Sequence, residues 1–209
     1  MLFALIIIYV VTLVYLAITD RFRNYASLIM VQGWVLFGIA ILQLHAINWA
    51  ELTFVLAETL VFKAIVVPYM LFNIIRKTGV ARVHENSVTG LNSLLLFVAG
   101  LLISAGIAYY IADTTVNVVF FAVALYAVLC GLILITTHKR IFSHLIGFLV
   151  IENGVFLFSL AVGVEMPMLV NVAMMLDILM SVLMLGVFFS KLGERIRNLS
   201  SDELTKLKD

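Results

Sequence analysis

Apolar residues run through this chain in long stretches separated by short polar breaks. Seven runs can be marked, at about 2–18, 26–44, 51–75, 90–112, 117–136, 142–162 and 168–190. Each fits or nearly fits the roughly 20 residues, within a range of about 17–25, that an α-helix needs to cross a bilayer. The period-two alternation with frequent turns that marks a membrane barrel is absent from the pattern. The pattern predicts an all-α polytopic membrane protein of about seven transmembrane helices.

Charge then orients the spans. The breaks after the first, third and fifth runs hold Arg21 and Arg23, then Arg76, Lys77 and Arg82, then Lys139 and Arg140. The tail after the seventh run holds Lys191, Arg195, Arg197, Lys206 and Lys208, and the breaks after the second, fourth and sixth runs hold no Lys or Arg. Lys63 is the only one of the 13 basic residues inside a run. The bias of Lys and Arg toward cytoplasmic loops predicts the N-terminus outside and the C-terminus in the cytoplasm. That alternation requires an odd number of spans. The longest basic loop, 76–89, divides a three-helix N-terminal unit, 1–75, from a four-helix unit, 90–190. Residues 191–209 read as a polar cytoplasmic tail, in which Ser200 and Glu203 fit the spacing of a helix capping box.

Composition excludes several classes. With 64% hydrophobic and 12% charged residues and a mean hydropathy of +1.19, the chain lacks the polar surface to cover a soluble core. A net charge of +1 gives no field for nucleic acid. The lone Cys130 excludes a disulfide within one chain and a thiolate metal site. No glycine-rich phosphate loop, zinc spacing or haem motif is seen, so no cofactor is expected. The first run has no basic leader and no clean small-residue cleavage site, and reads as a retained helix rather than a signal peptide.

The candidate chemistry lies in the last two runs, each with one carboxylate near its middle: Glu152 and Asp177. Both fall about ten residues from the short turn that holds Pro167. At a rise of about 1.5 Å per residue that is roughly 15 Å, half of a hydrocarbon core of about 30 Å. Consecutive, tightly joined helices are expected to pack antiparallel, which would bring the two acids to one level. Two adjacent carboxylates cannot both be ionised cheaply, so such a pair can take and give protons. Ionisable groups inside a membrane are costly and point to function, although a structural hydrogen bond would also account for them. Asn153 can donate a hydrogen bond inside the bundle, and Gly154 allows a close helix approach. His144 and His138 lie toward the cytoplasm and suit a proton approach to Glu152 and on to Asp177. The plainer reading is that both are interfacial, beside Lys139 and Arg140.

The third run adds Lys63 near mid-depth, with Glu58 before it and Pro68 after it. Glu58 and Lys63 are five residues apart, a poor spacing for an intrahelical pair, so each looks for a partner on another helix. Pro68 removes a backbone hydrogen bond, and a bend just past Lys63 would expose a carbonyl to a wet cavity. Lys63 is read as a proton-exchanging group or a fixed counter-ion. Gln32, Gln43 and His45 are less specific, and Gly100 and Gly106 read as helix contacts.

The segments FKAIVVPYM (with Lys63 and Pro68), THKRIFSHLIGFLVIENGVFLF, EMPMLV and MMLDILMSVL resemble the E component of hydrogenase-4. This is a membrane subunit of formate hydrogenlyase-type and other membrane-bound [NiFe] hydrogenase complexes. The resemblance runs over nearly the whole chain. It is most specific in Gly147, Glu152, Asn153 and Gly154, and in Pro167, Leu169 and Val170. The C-terminal helices also resemble the K subunit of respiratory complex I and the C subunit of multi-subunit sodium/proton antiporters. In those subunits two adjacent helices each carry a buried carboxylate; here Asp177 stands at the second position in place of the usual glutamate. The resemblance implies a non-catalytic membrane-arm subunit in a prokaryotic cytoplasmic membrane. Its partners would be antiporter-like and complex I H-subunit-like proteins, and its part a share of a proton or sodium path. A purely structural subunit and a self-contained ion transporter are the alternatives. The lack of an evident inverted repeat speaks against the latter.

Overall fold

The computed structural model describes residues 1–19, 21–43, 58–78, 90–111, 117–138, 141–162 and Gly186. Helix α1 is Leu2–Ile18 and α2 is Phe22–Gln43. A π-helical segment, Glu58–Val66, runs on into α3, Val67–Thr78. Helices α4, α5 and α6 are Gly90–Tyr110, Val118–Thr137 and Ile141–Val162. The described residues are thus largely helical, as hydrocarbon demands, because a helix satisfies its backbone groups within itself.

Among the described residues, five stretches are long and apolar enough to cross a membrane: Phe22–Leu42, Thr59–Arg76, Leu91–Tyr110, Val118–Thr137 and Ile141–Ala161. Leu2–Ile18 is a shorter apolar helix. The chain is a multi-pass α-helical membrane protein. The seventh run lies outside the described residues except at Gly186, which is helical. A Cβ there would meet the Ile74 side chain of α3 at 3.7 Å. The loop 79–89 and the tail also lie outside the described residues.

Packing follows membrane logic. Helix α4 buries the small or narrow stripe Ser93, Gly100, Ser104 and Ala108 together with Phe97. It turns Leu91, Leu95, Leu102, Ile103 and Ile107 outward. Lipid solvates leucine as well as a protein core does, so close approach through small residues decides which face goes inward. Gly100 meets Tyr126, Leu129 and Ile133 of α5, whereas among the described residues nothing lies within 4 Å of a Cβ on Gly106. Of the two glycines read as helix contacts, Gly100 is one among the described residues.

Helices α5 and α6 form an antiparallel hairpin. Asn117 N–H donates to the Ala161 carbonyl at 2.9 Å. Further along, Gly154 faces Ala124 and Ala127, and Gly131 and Gly147 meet backbone to backbone. A Cβ on Gly131 would lie 2.5 Å from the Gly147 carbonyl oxygen, and one on Gly147 2.7 Å from that of Gly131. Glycine is required at this crossing because no side chain fits between the two backbones. The expectation that Gly154 permits close approach agrees with this geometry.

Helix α2 lies parallel to α6. Phe22 stacks edge-on against Phe142 at 4.6 Å, Tyr25 meets His138, and Gln32 meets Asn153. Helix α1 runs antiparallel to α2, with Thr12 against Gln32 and Leu5 against Gly38. The end of the bundle that gathers Arg21, Arg23, His138 and His144 is called the basic end below.

Candidate functional site

Polar side chains meet at the middle of the bundle. Gly33 is the twelfth of the 22 residues of α2, and Glu152 is the twelfth of the 22 residues of α6. Thr12 sits beyond the middle of α1. Around this level Gln32, Lys63, Glu152, Asn153 and Thr12 are all buried. Burying a polar group without a hydrogen bond costs roughly 2–7 kcal/mol into a fully apolar medium, so the partners matter.

Three helices share one chain of hydrogen bonds. Asn153 Nδ2 donates to Gln32 Oε1 at 3.2 Å. Gln32 Nε2 donates to Thr12 Oγ1, also at 3.2 Å. Thr12 Oγ1 then donates to the Tyr9 carbonyl at 2.6 Å. The order of donors and acceptors is fixed, because a backbone carbonyl only accepts. Gln32 therefore joins α1 to α6 through both ends of its amide. Sequence reasoning set Gln32 aside as unspecific and did not single out Thr12. The available signal was a buried-type amide in mid-run, preceding a glycine.

Lys63 reaches the same level from the π-helical segment. Its side chain is 5% exposed. The ammonium stands 5.0 Å from the centroid of the Phe156 ring, a geometry in which a cation is attracted to the π face. Phe156 follows Glu152 by four residues and so shares its side of α6. Glu152 itself is 7% exposed. Lys63 and Glu152, distant in sequence, are thereby brought to one side of α6 at one depth.

The backbone beneath Lys63 is held unusually close. A Cβ on Gly33 would lie 2.8 Å from the Lys63 carbonyl carbon, the Lys63 carbonyl oxygen and the Ala64 Cα. Helix α2 thus touches the π-helical segment through bare backbone. Pro68, buried in the first turn of α3, offers no N–H to Lys63 O five residues back or to Ala64 O four back. The sequence suggested a bend and a carbonyl open to a wet cavity. The helix has π geometry before the proline, and Gly33 lies against the Lys63 carbonyl. Wide π turns recur at functional sites because they re-aim side chains.

His138 and His144 come together at the basic end, not beside Glu152. His138 follows the last residue of α5, with extended backbone, and is buried. Its Nδ1 lies 3.0 Å from Thr137 Oγ1 and 3.2 Å from the Leu134 carbonyl. Its Nε2 faces the Tyr25 hydroxyl at 3.4 Å. His144 Nε2 donates to the His138 carbonyl at 2.6 Å. Burial of His138 differs from the interfacial placement that its basic neighbours suggested. Asp177 and Pro167 lie outside the described residues, as does the side chain of Glu58. Among the described residues, no group of three or more His, Cys, Asp or Glu could hold a metal ion.

The fold and this layer define a membrane-embedded helical protein with a buried lysine, carboxylate and histidine. The chain is 27% identical, over 190 residues, to an uncharacterized protein of Mycobacterium tuberculosis; the match covers 90% of this chain and 86% of that protein. No family model matches the chain, and no solved structure does. The comparisons thus place a remote bacterial relative beside a multi-pass helical chain.

Proposed function

We propose that this protein is a non-catalytic membrane-arm subunit of an energy-converting [NiFe] hydrogenase complex, contributing buried charges to a proton or sodium path. The observation that carries the ion-path reading is the layer at mid-depth. There a lysine and a carboxylate from separate helices are buried on one side of α6. Beside them an amide chain fixes the neighbouring residue. Buried charge in hydrocarbon costs several kcal/mol, and here two such groups sit where a path across the arm would run. The hydrogenase context rests on the likeness of the Lys63–Pro68, Gly147–Gly154 and Pro167–Val170 segments to hydrogenase-4 component E.

In this reading Glu152, Lys63 and Asp177 carry or gate the ion, with Glu58 as a further carboxylate. His138 and His144 serve the approach from the basic end, which is the cytoplasmic side. Asn153, Gly154, Pro68 and Pro167 shape the helices around them. The units 1–75 and 90–190 are the two bodies joined in the arm, linked by 76–89 and followed by the tail 191–209. Antiporter-like and complex I H-subunit-like proteins flank it in a prokaryotic cytoplasmic membrane. Redox chemistry stays in other subunits.

The experiment is Glu152→Gln in the native complex, with assembly, hydrogen evolution and ion translocation measured together. The expected result is an assembled complex that retains redox turnover and loses translocation. Unchanged translocation would sink the reading, and disassembly would favour a structural subunit instead.

A further inference from the structure

Short hydroxyl side chains in this bundle pair along their own helices. Thr12, Ser104 and Ser159 each donate to the carbonyl three residues back. Ser93 and Ser143 are buried without a hydrogen-bond partner among the described residues, but a serine hydroxyl stands close to its own backbone, where a rotation reaches local groups. A tyrosine has no such option, because its hydroxyl is carried at the far tip of a ring. Two tyrosines are in that position. Tyr9 of α1 and Tyr126 of α5 are fully buried, and among the described residues neither hydroxyl has a hydrogen-bond partner. A buried hydroxyl left unpaired carries the full cost of its desolvation, and native interiors avoid that with protein or water partners.

The two hydroxyls belong to one place in the fold. Tyr9 is the eighth of the 17 residues of α1, and Tyr126 the ninth of the 20 residues of α5, so both lie at mid-depth. Helix α1 packs against α4 and α5. Cys130 follows Tyr126 by four residues and so shares its side of α5. Its thiol stands beside the Tyr126 hydroxyl, and Tyr9 falls within electrostatic range of the same thiol. From α4, Gly100 makes room for the Tyr126 ring: a Cβ there would meet Cε2 at 3.9 Å. A thiol is a weak donor and a weak acceptor, and does not replace an oxygen partner.

We infer that the junction of α1, α4 and α5 is a binding site for one buried water molecule, held between the hydroxyls of Tyr9 and Tyr126 beside the Cys130 thiol. Phenols and a thiol are ordinarily uncharged near neutral pH, so the site offers nothing to draw in an ion. It suits a small neutral ligand that both donates and accepts. Buried waters typically make about three hydrogen bonds to otherwise unsatisfied groups; two hydroxyls and a thiol supply that number.

The water completes the hold on α1. The Tyr9 carbonyl already ends the amide chain that comes from α6 through Gln32 and Thr12. The Tyr9 side chain, through the water, ties the same turn of α1 to α5. One residue thus serves two contacts, one with its backbone and one with its ring. The inference needs neither Lys63 nor Glu152, and so stands apart from the proposed ion path.

The test is a structure of the full chain in lipid nanodiscs, bound by an antibody fragment, at a resolution that shows ordered waters. The expected result is a single water peak within about 2.5–3.0 Å of both tyrosine oxygens. The two hydroxyls bonded directly to each other, each bonded to a protein group with no peak between them, or density larger than one water would each overturn the inference. The wild type alone decides this, so no variant has to fold. In Tyr126→Phe, which keeps the ring and removes one partner, the peak is expected to vanish. A peak that stays on Tyr9 in a folded Tyr126→Phe shows that the site is not shared, and overturns it as well.

Discussion

Gly33→Ala isolates the contact on which the middle layer is built. The added methyl carbon would lie 2.8 Å from three backbone atoms, the Lys63 carbonyl carbon and oxygen and the Ala64 Cα. Non-bonded carbons settle near 3.5–4.0 Å, so α2 and the π-helical segment must part by roughly 0.7 Å or more. None of the three atoms belongs to a side chain that could swing aside. Overpacking of this kind costs about 1–3 kcal/mol, and about 1.4 kcal/mol is tenfold in an equilibrium constant. Reversible unfolding of the purified chain in mixed micelles, followed by circular dichroism, measures the loss. Gly106→Ala is the internal control. Among the described residues nothing stands within 4 Å of a Cβ at Gly106, and alanine is the better helix former, so stability is expected to be unchanged or slightly raised. Ala64→Gly, which leaves the offending backbone in place, is expected not to rescue Gly33→Ala. If Gly33→Ala proves as stable as Gly106→Ala, the reasoning from backbone contact fails.

Three further outcomes follow from named contacts. Gln32→Leu strands Asn153 Nδ2 and removes the donor to Thr12; the expected loss is about 1–3 kcal/mol in the same unfolding assay, at the scale of hydrogen bonds inside membrane bundles. A value within error of zero would mean that the amide chain ties nothing together. Phe156→Leu removes the ring beneath the Lys63 ammonium; about 2 kcal/mol is expected for a desolvated pair, with Phe156→Tyr retaining most of it, and equal losses from the two variants would contradict a cation–π contact. Lys63→Met and Glu152→Gln are expected to be non-additive when combined, because both groups belong to one buried layer; strict additivity in a double-mutant cycle would show two independent sites.

The spans were legible because hydrophobic run length is almost the whole cause of a membrane helix. The runs at 2–18, 90–112, 117–136 and 142–162 agree with α1, α4, α5 and α6 to within about two residues, the usual scatter of helix ends. The second run begins at Phe22 rather than near 26, because the polar residues Arg23, Asn24 and Ser27 hid the helical start. Glu152 and Lys63 were legible as buried charges, since no apolar run needs either. What could not be read was which residues face each other. Gln32 looks like any mid-run amide until Asn153 arrives from 121 positions away. Tyr25 has no local signal of its contact with His138, which follows the end of another helix. The π geometry was likewise hidden: Pro68 announced a disturbance, but only the contact at Gly33 shows how the chain absorbed it.

The amide chain also limits where a proton can travel in the proposed path. Its hydrogens run one way, from Asn153 through Gln32 and Thr12, and end on the Tyr9 carbonyl. A relay needs groups that accept a proton on one side and release one on the other. An amide N–H does not release its proton near neutral pH, and a backbone carbonyl at the end of the line has nothing to pass on. Traffic from Glu152 toward α1 is therefore closed along this route, and the chain acts as a tie that keeps three helices in register. Among the described residues at this depth, the buried groups whose side chains are charged in water near neutral pH are Glu152 and Lys63. Both lie on the side of α6 marked by Phe156. A substitution that opens the tie should therefore loosen the layer without creating a new route. This distinguishes Gln32→Leu, a loss of stability with selectivity intact, from Glu152→Gln, a loss of translocation in a stable complex.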